Sequence, residues 1–469
     1  MSCNNISTDI NLETVKSHKR YVTIAGAMAG LLFGLDCGVM GGALPFVASD
    51  LQLSSNLQEW VVSAMMLGAA IGAIATNKIS TVLGRKKSIF WGALLFCVGS
   101  LGCAFSPNVE ALILFRLVLG FSIGITSYTG PLYLAEMSEK KTRGRLIAMY
   151  QLMCTFGILL AFLSDTYFSF DGDWRTMLGI VSVPAFILII LVLRLPESPR
   201  WLASKGSFDE AEKILFNLRE TTDEVKNEIA EIKGALQIKQ AGWSLFKSNR
   251  NVRRVVFLGM FIMLMQQFTG MNIIFYYAPT VFGLAGYTSS LDQMIFTVLC
   301  GVVNLFATII AMRFVDKWGR KFILKIGFSI IAVSMIVIGA CMYCIVNELN
   351  YPWVPITAVM IIFICIIGYA MSAAPVCWTL CAEIQPLKSR EFGIACSTAT
   401  CWISSTILGA TFLTLVNTLG AAGTFWLYAV LNIAFIVVTV LFIPETKGVS
   451  LETIEKNLMA GKSLKNIGL

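Results

Sequence analysis

Twelve apolar stretches, each long enough to cross a bilayer core of roughly 30 Å as a helix of about 20 residues, dominate this 469-residue chain. They fall near 21–46, 60–83, 88–106, 109–134, 145–167, 175–195, 254–283, 291–315, 322–346, 353–382, 392–417 and 422–443. Because 56% of the residues are hydrophobic and only 14% charged, with a mean hydropathy of +0.74, a water-soluble globule is excluded: it could neither hide the apolar residues nor coat itself with charge. Backbone groups in lipid must be satisfied within their own segment, so the expected class is an all-α integral membrane protein.

Charge placement orients the helices. Lys and Arg gather in alternate loops, at Arg85-Lys86-Lys87, at Lys140-Lys141 with Arg143 and Arg145, at Lys317 with Arg320-Lys321, and at Lys388 with Arg390; the opposite loops hold only Arg175. Such loops face the cytoplasm, which predicts both termini inside. The net charge of +8 forms no continuous basic face and gives no reason to expect nucleic acid as a partner. Most cysteines lie singly in apolar runs, as Cys37, Cys97, Cys154, Cys300 and Cys365 do, and read as small hydrophobes rather than disulfide partners. The polar opening segment, ending in Lys16-Ser17-His18-Lys19-Arg20, has no leader-like apolar core.

The expected organisation is a cytoplasmic tail at 1–20, a six-helix bundle at 21–195, a linker at 196–253, a second six-helix bundle at 254–443 and a second tail at 444–469. Nineteen of the 58 linker residues are charged against 45 of the 411 elsewhere, and helical spacing at 208–215 and 224–238 predicts short amphipathic helices. The linker also divides an internal repeat. Gly84-Arg85-Lys86 recurs as Gly319-Arg320-Lys321, Glu136 with Arg143 as Glu383 with Arg390, and Pro196-Glu197-Ser198 as Pro444-Glu445-Thr446, at offsets of 235, 247 and 248. Two repeated halves around a midplane site are the plan of a transporter.

Asp36 is the one carboxylate between Tyr21 and Ser49, near mid-span, and an intramembrane acid is costly enough to suggest function. Arg116 in the fourth span is its candidate partner. Gln266, Gln267 and Asn272 place three amides in seven residues, yet five positions on an unbroken helix turn by about 140°, so Gln267 and Asn272 would diverge unless Gly270 breaks the helix.

The chain resembles the sugar porter family of the major facilitator superfamily from about Tyr21 to its end. The motifs are Arg143-Gly144, Pro196-Glu197-Ser198-Pro199-Arg200, Gln266-Gln267-Phe268-Thr269-Gly270-Met271-Asn272, Asp316-Lys317-Trp318-Gly319-Arg320-Lys321 and Pro444-Glu445-Thr446-Lys447-Gly448. Tyr150-Gln151-Leu152-Met153, Leu163-Ser164-Asp165-Thr166, Cys396-Ser397-Thr398-Ala399-Thr400 and Glu455-Lys456-Asn457-Leu458-Met459 are similar to its bacterial arabinose-proton and galactose-proton symporters.

The resemblance implies the major facilitator fold, twelve transmembrane helices in two six-helix halves, in the cell inner membrane. It implies import of a monosaccharide with a proton by alternating access, driven by the proton gradient with no cofactor and no metal, by a monomer. Asp36 would carry the proton beside Arg116; Gln151, Gln266, Gln267, Asn272, Asn304, Trp378 and Trp402 would bind sugar, with Pro375 bending the tenth span beside Trp378. Arg85, Glu136, Arg143, Glu197, Asp316, Arg320, Glu383, Arg390 and Glu445 would form gates whose ion pairs latch one half to the other. Two departures stand out. Cys401 precedes Trp402 where relatives commonly carry an amide, and Thr81 stands where the second half has Asp316, which predicts a weaker latch in the first half. Ala373-Ala374-Pro375 resembles the arabinose branch and Asn304 the galactose branch, so a pentose and a hexose both remain open.

Other classes fit less well. An enzyme lacks its usual parts here: the one histidine, His18, lies in the first tail, and neither a phosphate loop nor a Cys/His cluster is present. A transporter-like sugar sensor would need a longer cytoplasmic extension, and a facilitative uniporter would have no use for Asp36 with Arg116.

Overall fold

The structure is a computed structural model describing residues 12–139, 142–236, 242–349 and 351–468, with Leu12, Thr14, Ala235, Val315 and Asp316 described by their backbone alone. Among these residues eleven helices are long and apolar enough to cross a membrane. The twelfth crossing, between Arg250 and Leu284, is broken into three helices, the longest of which, Arg250–Gln267, has 18 residues and carries three arginines in its first five. In chain order the spans are one (Leu12–Asp50), two (Ser55–Leu83), three (Arg85–Ala104), four (Val109–Met137), five (Arg143–Phe168) and six (Trp174–Ile180 with Ser182–Leu193). After the linker come seven (Arg250–Gln267, Met271–Tyr276, Ala278–Leu284), eight (Ser290–Trp318), nine (Arg320–Val346), ten (Val354–Ala370, Ala373–Ile384), eleven (Arg390–Gly409) and twelve (Phe412–Leu441).

The helix of span one begins at Leu12, within the expected 1–20 tail. Its basic first turns carry it beyond the apolar layer, where Lys19 pairs with Glu139 and Glu220. Among its described residues the linker holds four helices, Pro199–Ser204, Phe208–Phe216, Thr222–Leu236 and Gly242–Ser248. Leu202, Ala203, Ala211, Leu215, Val225 and Ile232 bury a small core between the first three, which accounts for the amphipathic spacing there.

Within the first half span two packs on four, one on five and three on four; in the second, nine packs on twelve and ten, and seven on eleven. The halves meet along two seams, two against eleven and five against eight. Glycines let the backbones approach there: Gly301 lies on Leu159 and Phe162, Gly409 on Met66, and Gly41 of span one on the carbonyl of Phe275. Phe162 and Phe275 stack across the boundary at 6.5 Å. Hydrogen bonds also join the halves at the end of the bundle away from the linker, hereafter the far end: Glu59 accepts from Thr414, and Asn417 donates to Ser55 Oγ at 3.2 Å.

At the linker end the repeat is visible atom by atom. Glu197 Oε1 accepts from the backbone N–H groups of Arg85 (2.8 Å) and Lys86 (3.1 Å), and Glu445 accepts from those of Arg320 (2.9 Å) and Lys321 (3.0 Å). Each carboxylate thereby satisfies unpaired donors and complements the dipole at the start of span three or nine.

Candidate functional site

Asp36 and Arg116 meet as expected from two helices. Arg116 Nη1 donates to Asp36 Oδ1 at 2.7 Å, Arg116 Nε donates to the Val61 carbonyl at 3.3 Å, and both side chains are buried. Asp36 Oδ2 is buried without a hydrogen-bond partner among the described residues, so the arginine holds only one of the two oxygens. Removing either member would leave a buried charge, at a cost of about 3–5 kcal/mol.

Span seven breaks where the amide spacing requires it. Gly270 has φ +81°, a conformation that costs a side-chain-bearing residue energy, and the Tyr428 ring packs so closely that an added methyl would lie 2.7 Å from it. Asn432 Nδ2 holds the break by donating to the carbonyls of Thr269 (3.0 Å) and Tyr428 (2.8 Å). Across it Asn272 Nδ2 donates to Gln267 Oε1 at 2.6 Å, while Gln267 Nε2 reaches Gln266 Oε1 (3.4 Å) and Cys401 Sγ (3.0 Å). Cys401 Sγ in turn lies 3.7 Å from Gln266 Oε1, so the thiol completes the amide cluster.

Gln266 extends the cluster to span ten, donating to the carbonyls of Ala373 (3.1 Å) and Ala374 (3.2 Å). Span ten is interrupted at Met371-Ser372, three residues before Pro375, with Ser372 at φ −128° and ψ −89°. Met371 stands four residues before Pro375, where a proline ring crowds the carbonyl and leaves it without its N–H partner, so the break falls where Pro375 is expected to bend the span. The proline sits in the first turn of the following helix.

Trp402 is buried with its ring edge-on to Phe33 at 5.6 Å, three residues from Asp36 along span one. Trp378 is 40% exposed and makes no ring contact with Trp402 among the described residues. Gln151 on span five is half-buried, Asn304 on span eight is 5% exposed, and neither side-chain amide hydrogen-bonds to a described protein group.

The gating residues divide differently from expectation. Arg85 forks onto Glu136 with two bonds of 2.9 Å, and Arg320 onto Glu383 at 3.3 and 2.9 Å, so both pairs close within a half rather than between halves. The physical reason is that each arginine opens the helix packed beside its glutamate, where the guanidinium fork meets the carboxylate squarely. Ser198 and Thr446 hydroxyls complete the clusters, each donating at 2.5 Å. Their described contacts match; the expected difference between Thr81 and Asp316 falls on a side chain outside the described residues. Arg143 donates to the Ala135 carbonyl and lines a pocket of about 270 Å³ with Arg200, Arg219, Glu139 and Glu228, while Arg390 has no ion-pair partner among the described residues.

Sequence reasoning missed three polar groups. Glu59 borders the second apolar stretch and reads as a loop residue; Asn432 lies in a stretch otherwise continuous in apolar residues. Asp165 is a lone carboxylate inside an apolar run, the signal that singled out Asp36.

Two repeated six-helix halves, closed at the far end over a broken-helix amide cluster and a buried Asp–Arg pair, define a secondary transporter of the major facilitator fold. The chain belongs to the family described as "Sugar (and other) transporter", whose profile matches residues 22–458. It is 56% identical over 462 residues to the arabinose-proton symporter of Escherichia coli strain K12, covering 98% of each chain. To the galactose-proton symporter of the same strain it is 55% identical over 448 residues, covering 96% of each. The fold matches a partially occluded, inward-open xylose transporter XylE of E. coli with a TM-score of 0.80 at 26% identity, over 92% of this chain and 100% of that one. It matches the proton:xylose symporter XylE bound to 6-bromo-6-deoxy-D-glucose with a TM-score of 0.77 at 28% identity, over 93% and 98%.

Proposed function

We propose that this protein imports a monosaccharide, arabinose, galactose or a related pentose or hexose, together with a proton, by alternating access across the inner membrane. The observation that carries the reading is the seating of the buried Asp36–Arg116 pair beside Phe33, whose ring packs on Trp402 next to the Gln266-Gln267-Asn272-Cys401 cluster. Relatives 55–56% identical that are named arabinose-proton and galactose-proton symporters support it.

In this reading Gln151, Gln266, Gln267, Asn272 and Asn304 supply neutral donors and acceptors to the sugar hydroxyls, and Trp378 and Trp402 face the ring. Asp36 takes the proton; Arg116 stabilises its anion and is released when it is neutralised. Arg85–Glu136 and Arg320–Glu383, with Glu197 and Glu445, hold each half rigid at the gate, and Arg143, Arg390 and Asp316 complete the gate when the halves rock together at the linker end. Because all these groups come from one chain, a monomer suffices. The Lys/Arg-rich linker end, with both termini, is cytoplasmic. The proton gradient supplies the driving force.

Uptake of labelled arabinose, galactose, xylose and glucose into proteoliposomes, with and without an inward proton gradient, tests this. Accumulation above the external concentration only with the gradient is expected. Equilibration that ignores the gradient would make the protein a uniporter.

A further inference from the structure

Asp165 lies three residues before the end of span five, at the far end of the bundle, and is fully buried. Neither carboxyl oxygen has a side-chain partner or a hydrogen bond of full geometry among the described residues, and the one donor beside it is the backbone N–H of Gly42. It is seated against Gly42 of span one, where an added methyl would lie 2.7 Å from the carboxyl carbon, so the position accommodates the acid by sparing a side chain opposite it. An ionised carboxylate with no partner beyond one backbone N–H in such a place would cost far more than the fold can supply; the neutral acid is the form that fits.

Among the described residues the surroundings offer no free cation to neutralise a charge, only the backbone N–H of Gly42. Spans one, four, six and eight pack on span five. Their charged groups toward this end and at mid-span are Asp36 and Asp50 on one, Glu110 and Arg116 on four, Arg175 on six and Asp292 on eight, and the buried titratable thiols are Cys37 and Cys300. Arg116 is taken by Asp36, and Arg175 by the carbonyls of Ala104 and Ser106.

Position makes this acid more than a local curiosity. Phe162, one turn earlier, lies on the boundary between the halves, stacked on Phe275 and packed on Gly301. When the halves part at the far end, those contacts separate and water comes within reach of Asp165. Gly42 is six residues from Asp36 along span one, about 9 Å at 1.5 Å per residue. We propose that Asp165 is a second proton-carrying acid, which loads from the outer medium when the far end opens and supplies the Asp36 carboxylate. Asp165 gives its proton through the entering water to Asp36, is left as the carboxylate, and is reprotonated from outside before the far end closes over it.

This rests on the proton-coupled reading, and the test separates the two. In proteoliposomes, sugar-driven proton uptake is followed against external pH for the wild type and Asp165→Asn, beside sugar counterflow, which needs no net proton movement. The variant should lose most proton uptake and its acid stimulation relative to counterflow. A variant that matches the wild type in rate and pH dependence would overturn the proposal and leave Asp165 a fixed neutral acid. Infrared difference spectra of the wild type give a second readout: the carbonyl band of a protonated carboxyl, absent from Asp165→Asn, should respond to external pH when the far end opens. A band that does not respond overturns the proposal whatever the variant's folding. If the wild type itself moves no protons with sugar, the coupling reading falls, and the infrared band still decides Asp165.

Discussion

The carboxylate of Glu59 grips Thr414 with both oxygens, Oε1 accepting from the backbone N–H at 2.6 Å and Oε2 from the hydroxyl at 2.8 Å, across the boundary between the two halves. Thr414 lies in the first turn of span twelve. Glu59 therefore does for span twelve, from the opposite half, what Glu197 does for span three and Glu445 for span nine from within their own. The first two caps of this kind make a half rigid; the third ties the halves together, and must let go for the far end to open.

Glu59→Gln keeps the shape but puts an amide donor where one acceptor stood, and should weaken far-end closure by about 1.5 to 3 kcal/mol, the yield of hydrogen bonds to a charged group. Spin labels on the far ends of the two halves should report a larger long-distance population in the variant. An unchanged distance distribution would mean that the apolar seam alone keeps this end shut.

Asp36→Asn should abolish uphill accumulation, because an amide preserves the volume beside Arg116 but cannot cycle a proton. Uptake against a concentration gradient measures this. A mutant that still concentrates sugar would relieve Asp36 of the coupling role.

Gln267→Ala should lower sugar affinity by about 1 to 3 kcal/mol, the penalty of leaving polar groups unpaired in a dry site. Gln267 touches Gln266, Asn272 and Cys401 at once, so titration with the transported sugar should show the loss for every sugar bound. Wild-type affinity would assign Gln267 to holding the broken span together.

Cys401→Asn restores an amide where the thiol now meets Gln267 Nε2 and should tighten at least one sugar by about 0.5 to 1.5 kcal/mol, the net yield of one hydrogen bond. Isothermal titration across the four candidate sugars would show it. Uniformly unchanged affinities, with a lowered melting temperature, would mean that the amide is buried without a partner.

Much of this architecture was legible in the residues because lipid leaves so few options. Each apolar stretch had to be a helix, and the conflict between Gln267 and Asn272 on a regular helix pointed to a break at Gly270. Span ten was legible in the same way: Pro375 is the obvious helix breaker, and the interruption falls at Met371-Ser372, three to four residues before it, where a proline's ring and missing N–H act. The repeat shows that arginine and glutamate recur together, yet spacing alone does not say whether a pair closes inside a half or across the boundary. Glu59 was hidden by its place at the margin of an apolar stretch, where a charged residue looks like the edge of a loop.

The glycines of the seam have a thermodynamic consequence. Gly41, Gly301 and Gly409 meet the opposite half through backbone and a few apolar atoms, with no long polar side chain of their own to freeze on contact. Ordering a long side chain at an interface costs up to about 2 kcal/mol, and ordering a glycine side chain costs nothing. At these points the surfaces behave like a plain bearing rather than a ratchet: nothing has to be unlocked, and little rotamer freedom is gained or lost as they slide. The barrier to switching is thereby concentrated in the few polar ties at the ends of the bundle, where a proton or a sugar can act on it.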